Sequence, residues 1–208
     1  MKNVVIVDHP LVSHNLTRLR NIETQHLEFR RLLGEISLLM SYEIARSFQT
    51  REIQIQTPLE PTLGTCLTCD VALVAVLRAG LGMLEPILTI LPNARVGFIG
   101  LKRDEITLAP TFYYQNFPKN LDTYEVVLID PMLATGGTVV ASMALLSKFG
   151  AKRVKLLTLL ASPEGIQRVN DKYPDLLIYT AAVDRCLNEK GYILPGLGDA
   201  GDRLFGTV

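Results

Sequence analysis

Short runs of apolar residues, divided by small or polar residues, dominate the middle of the chain. They lie at residues 71–77, 95–101, 126–129, 153–161 and 176–180. Apolar runs of this length are typical of strands in a parallel sheet, because helices cover both faces of such a strand. The pattern therefore predicts five strands, most of them buried.

Apolar residues at helical spacing lie between these strands. They predict helices over residues 83–91 and 139–149, and Pro163 marks the first turn of another helix after the strand at 153–161. Strands that alternate with helices predict an α/β fold, a mostly parallel sheet with helices on both faces. Sheets of this kind bind ligands at the carboxyl ends of their strands.

Two helices are predicted ahead of the sheet. The first runs from Leu11 to Arg20, and Thr24 is the expected N-cap of a longer second helix. The second helix carries an apolar stripe along one face. Packing on the domain and a subunit interface account for this stripe equally well. Its residues are Phe29, Leu32, Leu33, Ile36, Met40, Ile44 and Phe48.

Two segments are predicted to form hairpins. Residues 51–58 alternate apolar and polar positions, as a half-exposed strand does, and residues 62–66 are its expected partner. Residues 102–115 form a β-hairpin arm with Arg103 near its tip. The charged residues of this arm are either a solvated tip or a lid that closes over an anionic ligand.

Composition excludes several classes of protein. The chain has 208 residues, with 21 lysines plus arginines and 21 aspartates plus glutamates. Without a basic excess, a nucleic-acid partner is not expected. No apolar run approaches the roughly 18 residues of a membrane span, and the apolar start is too short for a signal peptide. We therefore expect one domain in a cytoplasmic protein with no membrane partner.

The central motif of the chain is a strand, a loop of small residues and a helix. Residues 126–142 read V-V-L-I-D-P-M-L-A-T-G-G-T-V-V-A-S. This arrangement points free backbone N–H groups and a helix N-terminus at an anion, and Thr135 and Thr138 add hydroxyl donors. The acid that closes the strand, Asp130, is suited to the hydroxyls of a sugar. From these residues alone, a phosphate site and a packing turn are both open.

A second loop of the same geometry follows the strand at 71–77. It reads Arg78-Ala79-Gly80-Leu81-Gly82 and leads into the next helix. Its guanidinium is either a structural ion-pair partner or a phosphate ligand.

The C-terminal segment is rich in glycine and yet apolar. Residues 191–202 read G-Y-I-L-P-G-L-G-D-A-G-D, a composition that argues against regular structure. A loop of this kind is suited to recognition through its own N–H and C=O groups. Uracil presents an N–H flanked by two carbonyls, a pattern that backbone groups match directly.

Together these motifs resemble the uracil phosphoribosyltransferase family over essentially the whole chain. The matching motifs are L-R-A-G-L-G-M (77–83), R-D-E (103–105), D-P-M-L-A-T-G-G-T (130–138), P-E-G (163–165) and G-Y-I-L-P-G-L-G-D-A-G-D-R-L-F-G-T (191–207). Pro131 stands where many phosphoribosyltransferases carry a second acid, which points to this branch.

The resemblance implies a pentosyltransferase. It would transfer the phosphoribosyl group of phosphoribosyl pyrophosphate (PRPP) to N1 of uracil with Mg²⁺, giving UMP and diphosphate for pyrimidine salvage. The implied fold is the Rossmann-like phosphoribosyltransferase type, with the hairpin arm and a C-terminal hood over the base. The whole chain, 1–208, would be one domain made of N-terminal helices (11–49), a core (70–180) and a uracil-binding segment (186–208).

The resemblance also implies roles for individual residues. Asp199, Arg103 and Asp130 would form the catalytic set, and Mg²⁺ would arrive with PRPP, with Asp199 as the candidate protein ligand. Uracil would be held by Ile193, Gly198, Asp199 and Ala200. PRPP would be bound by Arg78, Arg103, Asp130, Pro131, Met132, Leu133, Ala134, Thr135, Gly136, Gly137, Thr138 and Asp199.

Further expectations follow from the family. Members often form homodimers or larger homo-oligomers, and some respond to GTP, so a homo-oligomer is expected and GTP is a candidate effector. A non-proline cis peptide is expected at Arg78-Ala79. Lys102 and Ile106 depart from the family pattern, where a tyrosine and an acid are usual, so the contacts of the arm are the least defined.

Two other interpretations compete with this one. A non-catalytic regulator that senses PRPP or nucleotides on the same fold, such as an RNA-binding attenuator, would carry paired acids in the central loop and a basic face. A phosphoribosyltransferase for a purine would lack the 191–203 segment. The Asp130-Pro131 pair, the balanced charge and that segment favour uracil transfer.

Overall fold

The computed structural model describes residues 3–103 and 110–207, apart from the side chains of Lys102, Arg103 and Pro110. Its helices are α1 (Pro10–Arg20), α2 (His26–Ala45), α3 (Leu81–Ile90), α4 (Gly137–Lys148), α5 (Pro163–Lys172) and α6 (Ala200–Phe205). Its strands are β1 (Val4–Ile6), β2 (Thr50–Gln56), β3 (Pro61–Leu67), β4 (Val71–Leu77), β5 (Arg95–Arg103), β6 (Pro110–Asn116), β7 (Glu125–Ile129), β8 (Met132–Leu133), β9 (Arg153–Ala161), β10 (Leu177–Val183), β11 (Cys186–Leu187) and β12 (Ile193–Leu194).

The central sheet has the order β1-β10-β9-β7-β4-β5-β6, and β8 pairs with β9. All pairings in this order are parallel except the last, in which β5 and β6 run antiparallel. The apolar runs predicted as buried strands occupy its centre, where Val74 lies beside Leu128 and Leu128 beside Leu156. The predicted α/β class and mostly parallel sheet are confirmed.

Helices cover both faces of the sheet. Residues of α1, α2, α3 and α6 pack with one set of strand side chains, which includes Leu73 and Val127. Residues of α4 and α5 pack with the opposite set, which includes Val74 and Leu128. Neighbouring residues of one strand therefore face different cores, which is why these strands are apolar at every position.

The apolar stripe of α2 packs inside the chain. All seven residues that the sequence placed on this face are buried. The N-cap prediction was wrong, because α2 begins after Gln25, which makes no side-chain capping bond. The Thr24 hydroxyl instead donates to the carbonyl of Arg18 at 2.6 Å, closing the turn between the first two helices.

Two antiparallel ladders match the predicted hairpins. Strands β2 and β3 pair from Thr50 and Leu67 to Gln56 and Pro61, and β5 pairs with β6 as far as Arg103 and Pro110. The tip of the second hairpin, residues 104–109, lies outside the described residues.

Both ends of the chain hold more regular structure than the sequence predicted. At the start, β1 adds an edge strand beside β10. Near the C-terminus, β12 pairs with β11, and α6 follows it. The expectation that glycines exclude regular structure there was wrong. Asp199 caps α6 through its side chain, and Gly206 ends it with a φ of 65°.

No helix in residues 3–103 and 110–207 is long and apolar enough to cross a membrane.

A buried ion pair joins two central strands at their amino ends. Lys155 Nζ lies 2.5 Å from Glu125 Oε2, and Arg153 Nε lies 3.3 Å from Glu125 Oε1. The Lys155 ammonium also lies 5.2 Å from the centroid of the Phe48 ring. Because Lys155 is only 9% exposed, water cannot replace its partner.

Replacing Glu125 by glutamine should therefore destabilise the fold, by about 3 kcal/mol, since it leaves a buried ammonium without a counter-charge. Urea unfolding measures this change. The exposed pair of Arg46 and Glu43 is the control, and Glu43→Gln should leave the unfolding midpoint nearly unchanged. Equal midpoints for wild type and Glu125→Gln would contradict this role of the buried pair.

Candidate active site

A cavity of about 420 Å³ opens at the carboxyl ends of β4 and β7. Three segments of the chain meet there: the loop after β4, the segment from β7 to α4, and the C-terminal segment before and at the start of α6. Its lining residues are Val76, Leu77, Arg78, Ala79, Leu101, Asp130, Met132, Ala134, Thr135, Gly137, Thr138, Gly191, Tyr192, Ile193, Gly198, Asp199, Ala200 and Gly201.

The small residues between β8 and α4 form a tight loop. Gly136 is the N-cap of α4 and has a φ of 73°, a left-handed conformation that favours glycine. A Cβ at this position would also lie only 2.8 Å from the carbonyl oxygen of Gly165. The loop thus brings the N-terminus of α4 to the cavity, where the unpaired N–H groups of the first helical turn favour an anion.

The motif P-E-G at 163–165 supports this loop from behind. A Cβ at Gly165 would lie 2.2 Å from the Ala134 carbonyl oxygen, so only glycine allows the two segments to meet. The Ser162 hydroxyl donates to the same oxygen at 2.6 Å and accepts from the N–H of Gly165. The start of α5 therefore fixes the position of the small-residue loop.

Asp130 lies at the end of β7 and lines the cavity. The side chain is almost fully buried, and its Oδ1 accepts a hydrogen bond from the backbone N–H of Met132 at 3.3 Å. Burial raises the pKa of Asp130 from 3.8 to about 7, and the Met132 hydrogen bond opposes part of this rise. A buried carboxyl at the cavity edge is suited to accept hydrogen bonds from ligand hydroxyls.

Arg78 follows β4 and also lines the cavity. Its Nη2 lies 3.2 Å from Asp202 Oδ1, and its guanidinium lies 5.7 Å from the centroid of the Phe205 ring. The side chain is 56% exposed, so the guanidinium remains accessible to an anionic ligand. The sequence left two roles open for Arg78, an ion-pair partner and a phosphate ligand. The structure shows the ion pair, and it also places Arg78 at a cavity where a phosphate ligand could reach it.

The C-terminal segment forms the opposite wall. Ile193, Gly198, Asp199 and Ala200, the residues predicted to hold a base, all line the cavity. Asp199 Oδ1 accepts from the N–H of Asp202 at 2.9 Å as the cap of α6. Tyr192 also lines the cavity; it was not among the predicted site residues, although it lies inside the motif at 191–207.

Some predicted site residues do not line the cavity. The Leu133 side chain is buried in the core, and the Pro131 carbonyl accepts from the N–H groups of Leu159 and Leu160. Gly136 shapes the loop as described above. The side chain of Arg103 lies outside the described residues, as do the departures at Lys102 and Ile106.

The non-proline cis peptide lies one bond earlier than predicted, at Leu77-Arg78 rather than Arg78-Ala79.

Among the described residues, no three acidic, histidine or cysteine side chains form a cluster that could hold a metal ion. Two carboxyl side chains, Asp130 and Asp199, line the cavity together with Arg78. This donor set fits a hard cation bound mainly through the oxygens of a phosphorylated ligand, as Mg²⁺ often is, and not a cage made by the protein alone.

Comparison with known proteins identifies the family. The family model described as Uracil phosphoribosyltransferase matches residues 5–207. The chain belongs to the uracil phosphoribosyltransferase family. The uracil phosphoribosyltransferase of Dictyoglomus turgidum is 53% identical over 98% of this chain and 99% of that protein. The uracil phosphoribosyltransferase of Symbiobacterium thermophilum is 50% identical over the full length of both chains.

Solved structures share the fold of this chain. A protein from Aquifex aeolicus superposes with a TM-score of 0.92 at 38% identity and covers 97% of each chain. Adenine phosphoribosyltransferase from Trypanosoma brucei has a TM-score of 0.58 at 16% identity, over 96% of this chain and 89% of that one. The second likeness is one of fold alone.

The buried Asp130 should make stability depend on pH. Because its pKa in the folded protein, about 7, lies above the ordinary 3.8, the folded state keeps the proton in a range where the unfolded chain has released it. The free energy of unfolding should therefore fall as pH rises between these two pKa values, by about 4 kcal/mol in total.

Asp130→Asn removes this dependence, since the amide is neutral at every pH. Chemical unfolding at a series of pH values should show the variant equal to wild type near pH 4 and more stable above pH 7, the range set by the two pKa values. Asp175→Asn, at an exposed position, is the control and should follow wild type. Parallel curves for Asp130→Asn and wild type would contradict the raised pKa.

Proposed function

We propose that the chain catalyses transfer of the phosphoribosyl group of PRPP to N1 of uracil, giving UMP and diphosphate. The observation that carries this proposal is the arrangement of one cavity. Residues of the small-residue loop at 134–138 and of the segment at 193–200 line it together with Asp130 and Arg78. This shared lining supports a phosphate site and a base site in one cavity.

Each part of PRPP has a chemically suited partner. The N-terminus of α4 and the hydroxyls of Thr135 and Thr138 would bind the 5′-phosphate. Asp130 would accept hydrogen bonds from the ribose hydroxyls. Because donors of this kind stabilise the carboxylate, binding of the sugar should lower the pKa of Asp130 from about 7.

The diphosphate would be bound by cationic groups. Arg78 lies at the cavity mouth, and we place Arg103, from the arm, at the same group as a second arginine. Both guanidinium groups are suited to phosphate oxygens, which they bind through two parallel N–H bonds. Mg²⁺, held by PRPP oxygens with Asp199 as the candidate protein ligand, would supply further charge neutralisation when bound.

The backbone at 198–200 and the Ile193 side chain would hold uracil. As the bond between C1′ and the diphosphate oxygen breaks, the new bond to uracil N1 forms and the N1 proton leaves. The sugar passes through a state with positive charge at C1′, so catalysis depends on positioning and on charge at the leaving group. Asp199 is the residue we propose as the nearest acceptor for the N1 proton.

On this proposal the whole chain is one cytoplasmic catalytic domain, with residues 186–208 as the hood over the base. We also infer a homodimer or larger homo-oligomer. The hairpin of β2 and β3 supports it, because Ile55, Leu59, Leu63 and Leu67 are exposed there. From the family resemblance, we also propose that GTP is an effector of that assembly.

A non-catalytic regulator on the same fold is the alternative. The uracil-binding segment at 191–207 and the absence of a basic excess argue against it. The deciding assay supplies Mg²⁺ and PRPP with uracil, cytosine, hypoxanthine or adenine, and follows nucleotide and diphosphate. We expect UMP from uracil alone. Folded protein that makes no nucleotide from any base would favour the regulator, and a purine nucleotide would overturn the proposed base specificity.

Asp199 allows a test that separates catalysis from stability. Asn caps a helix about as well as Asp, so Asp199→Asn should keep the unfolding midpoint of wild type. Its turnover should fall by about a hundredfold or more, because the side chain can no longer accept a proton or bind a cation. Asp199→Ala is the matched variant and should lose both turnover and stability. Turnover like that of wild type in Asp199→Asn would refute the proposed role.

A further inference from the structure

Two residues that do not line the cavity hold the base-binding segment in place. Arg20, the last residue of α1, and Asp184, the first residue after β10, form a bidentate ion pair with N–O distances of 2.7 and 2.6 Å. Neither residue lines the cavity. The Asp184 side chain is 6% exposed and that of Arg20 is 22% exposed, so the pair is largely shielded from water.

The ion pair binds both backbone groups of one residue in the segment. Arg20 Nη1 donates to the carbonyl oxygen of Gly196 at 2.8 Å, and Asp184 Oδ2 accepts from the N–H of Gly196 at 2.9 Å. Gly196 has a φ of 62°, and a Cβ there would lie 2.1 Å from the Ile193 carbonyl oxygen. The residue is therefore fixed by its neighbours and also by the ion pair.

A second arginine fixes the next residue. Arg203 Nη1 donates to the carbonyl of Leu197 at 2.9 Å, and its Nη2 donates to the carbonyls of Asn21 and Thr24. Its guanidinium lies 4.6 Å from the centroid of the Phe29 ring. Residues 196 and 197 are thus tied to the turn between α1 and α2, directly before Gly198 and Asp199 enter the cavity wall.

We propose that the Arg20–Asp184 pair is a positioning pair that sets the affinity for the pyrimidine base. It rests on the proposed function, since it concerns the base bound by this segment. A base recognised by backbone groups requires those groups to keep a fixed place, and the bonds to Gly196 determine where the following peptide units lie. The phosphate loop is supported separately, by Ser162 and Gly165, and PRPP would meet this segment only at Asp199, so the pair should affect uracil much more than PRPP.

Asp184→Asn tests this with little change of shape. One of its two oxygens becomes an NH₂ group. In place of Oδ1 it faces Arg20 Nη2, and in place of Oδ2 it faces both Arg20 Nη1 and the Gly196 N–H, so at least one donor loses its acceptor. We expect KM for uracil to rise about tenfold while KM for PRPP stays within about twofold of wild type. Arg20→Met should behave in the same way, and Arg20→Lys should recover part of the loss because it keeps one charged donor.

Glu125→Gln is the matched control. It breaks a buried ion pair of similar exposure at the opposite, amino end of the sheet. It should lower stability at least as much as Asp184→Asn and yet leave both KM values unchanged. Hydrogen exchange of the amides at 197–201 gives a readout without turnover: exchange should be faster in Asp184→Asn and unchanged in Glu125→Gln.

The outcomes separate the two proposals. Wild-type protein that makes no UMP overturns the proposed function, and hydrogen exchange then still shows whether the pair holds the segment. With active wild type, an equal rise of both KM values in Asp184→Asn, or a selective rise for uracil in Glu125→Gln, overturns the positioning role. Unchanged exchange at 197–201 in both Asp184→Asn and Arg20→Met also overturns it.

Discussion

Backbone groups can recognise a ligand only if the segment that carries them keeps a fixed position. Where such a segment is neither a strand nor a long helix, contacts outside the site must fix it. Of the three segments that line the cavity, the small-residue loop and the C-terminal segment lie largely outside the long strands and helices. Polar side chains that do not line the cavity donate hydrogen bonds to backbone carbonyls of both segments. Ser162 does so at Ala134, and Arg203 does so at Leu197. The geometry of the site thus depends on hydrogen bonds made outside it.

The parallel sheet supplies the frame for these contacts. Its central strands are buried on both faces, so they place their carboxyl ends with little freedom, and β4 and β7 end at the same cavity. Glycine allows two backbone segments to come into contact, as Gly165 does with Ala134. Side chains at these positions would force the loops apart, so the small residues of the motifs reflect packing as well as ligand access.

One residue of the site, Asp130, should lower the stability of the fold at neutral pH. Asp130 is buried at the end of a central strand with one hydrogen bond from Met132. A neutral or apolar residue would suit that environment better. Retention of a carboxyl there fits a site whose hydroxyl-bearing ligand completes the missing hydrogen bonds.

Local patterns predicted the central strands well, because burial on both faces leaves a continuous apolar run. The strands at 71–77 and 153–161 have the predicted bounds. Edge strand β1 was missed because it is three residues long, and α6 because its glycines obscured the capping signals of Asp199 and Gly206. No pattern could pair Arg20 with Asp184, which lie 164 residues apart and meet only through the fold.

The motifs located the cavity walls, since the predicted base-binding residues and most of the predicted phosphate loop line one cavity. We propose that these two walls hold the two ends of one nucleotide. A crystal structure of the protein with UMP tests this arrangement most directly. We expect the phosphate at the amides of 134–138 and the uracil ring hydrogen-bonded to the backbone at 198–200. A nucleotide bound with its base at the small-residue loop, or outside this cavity, would rule the arrangement out.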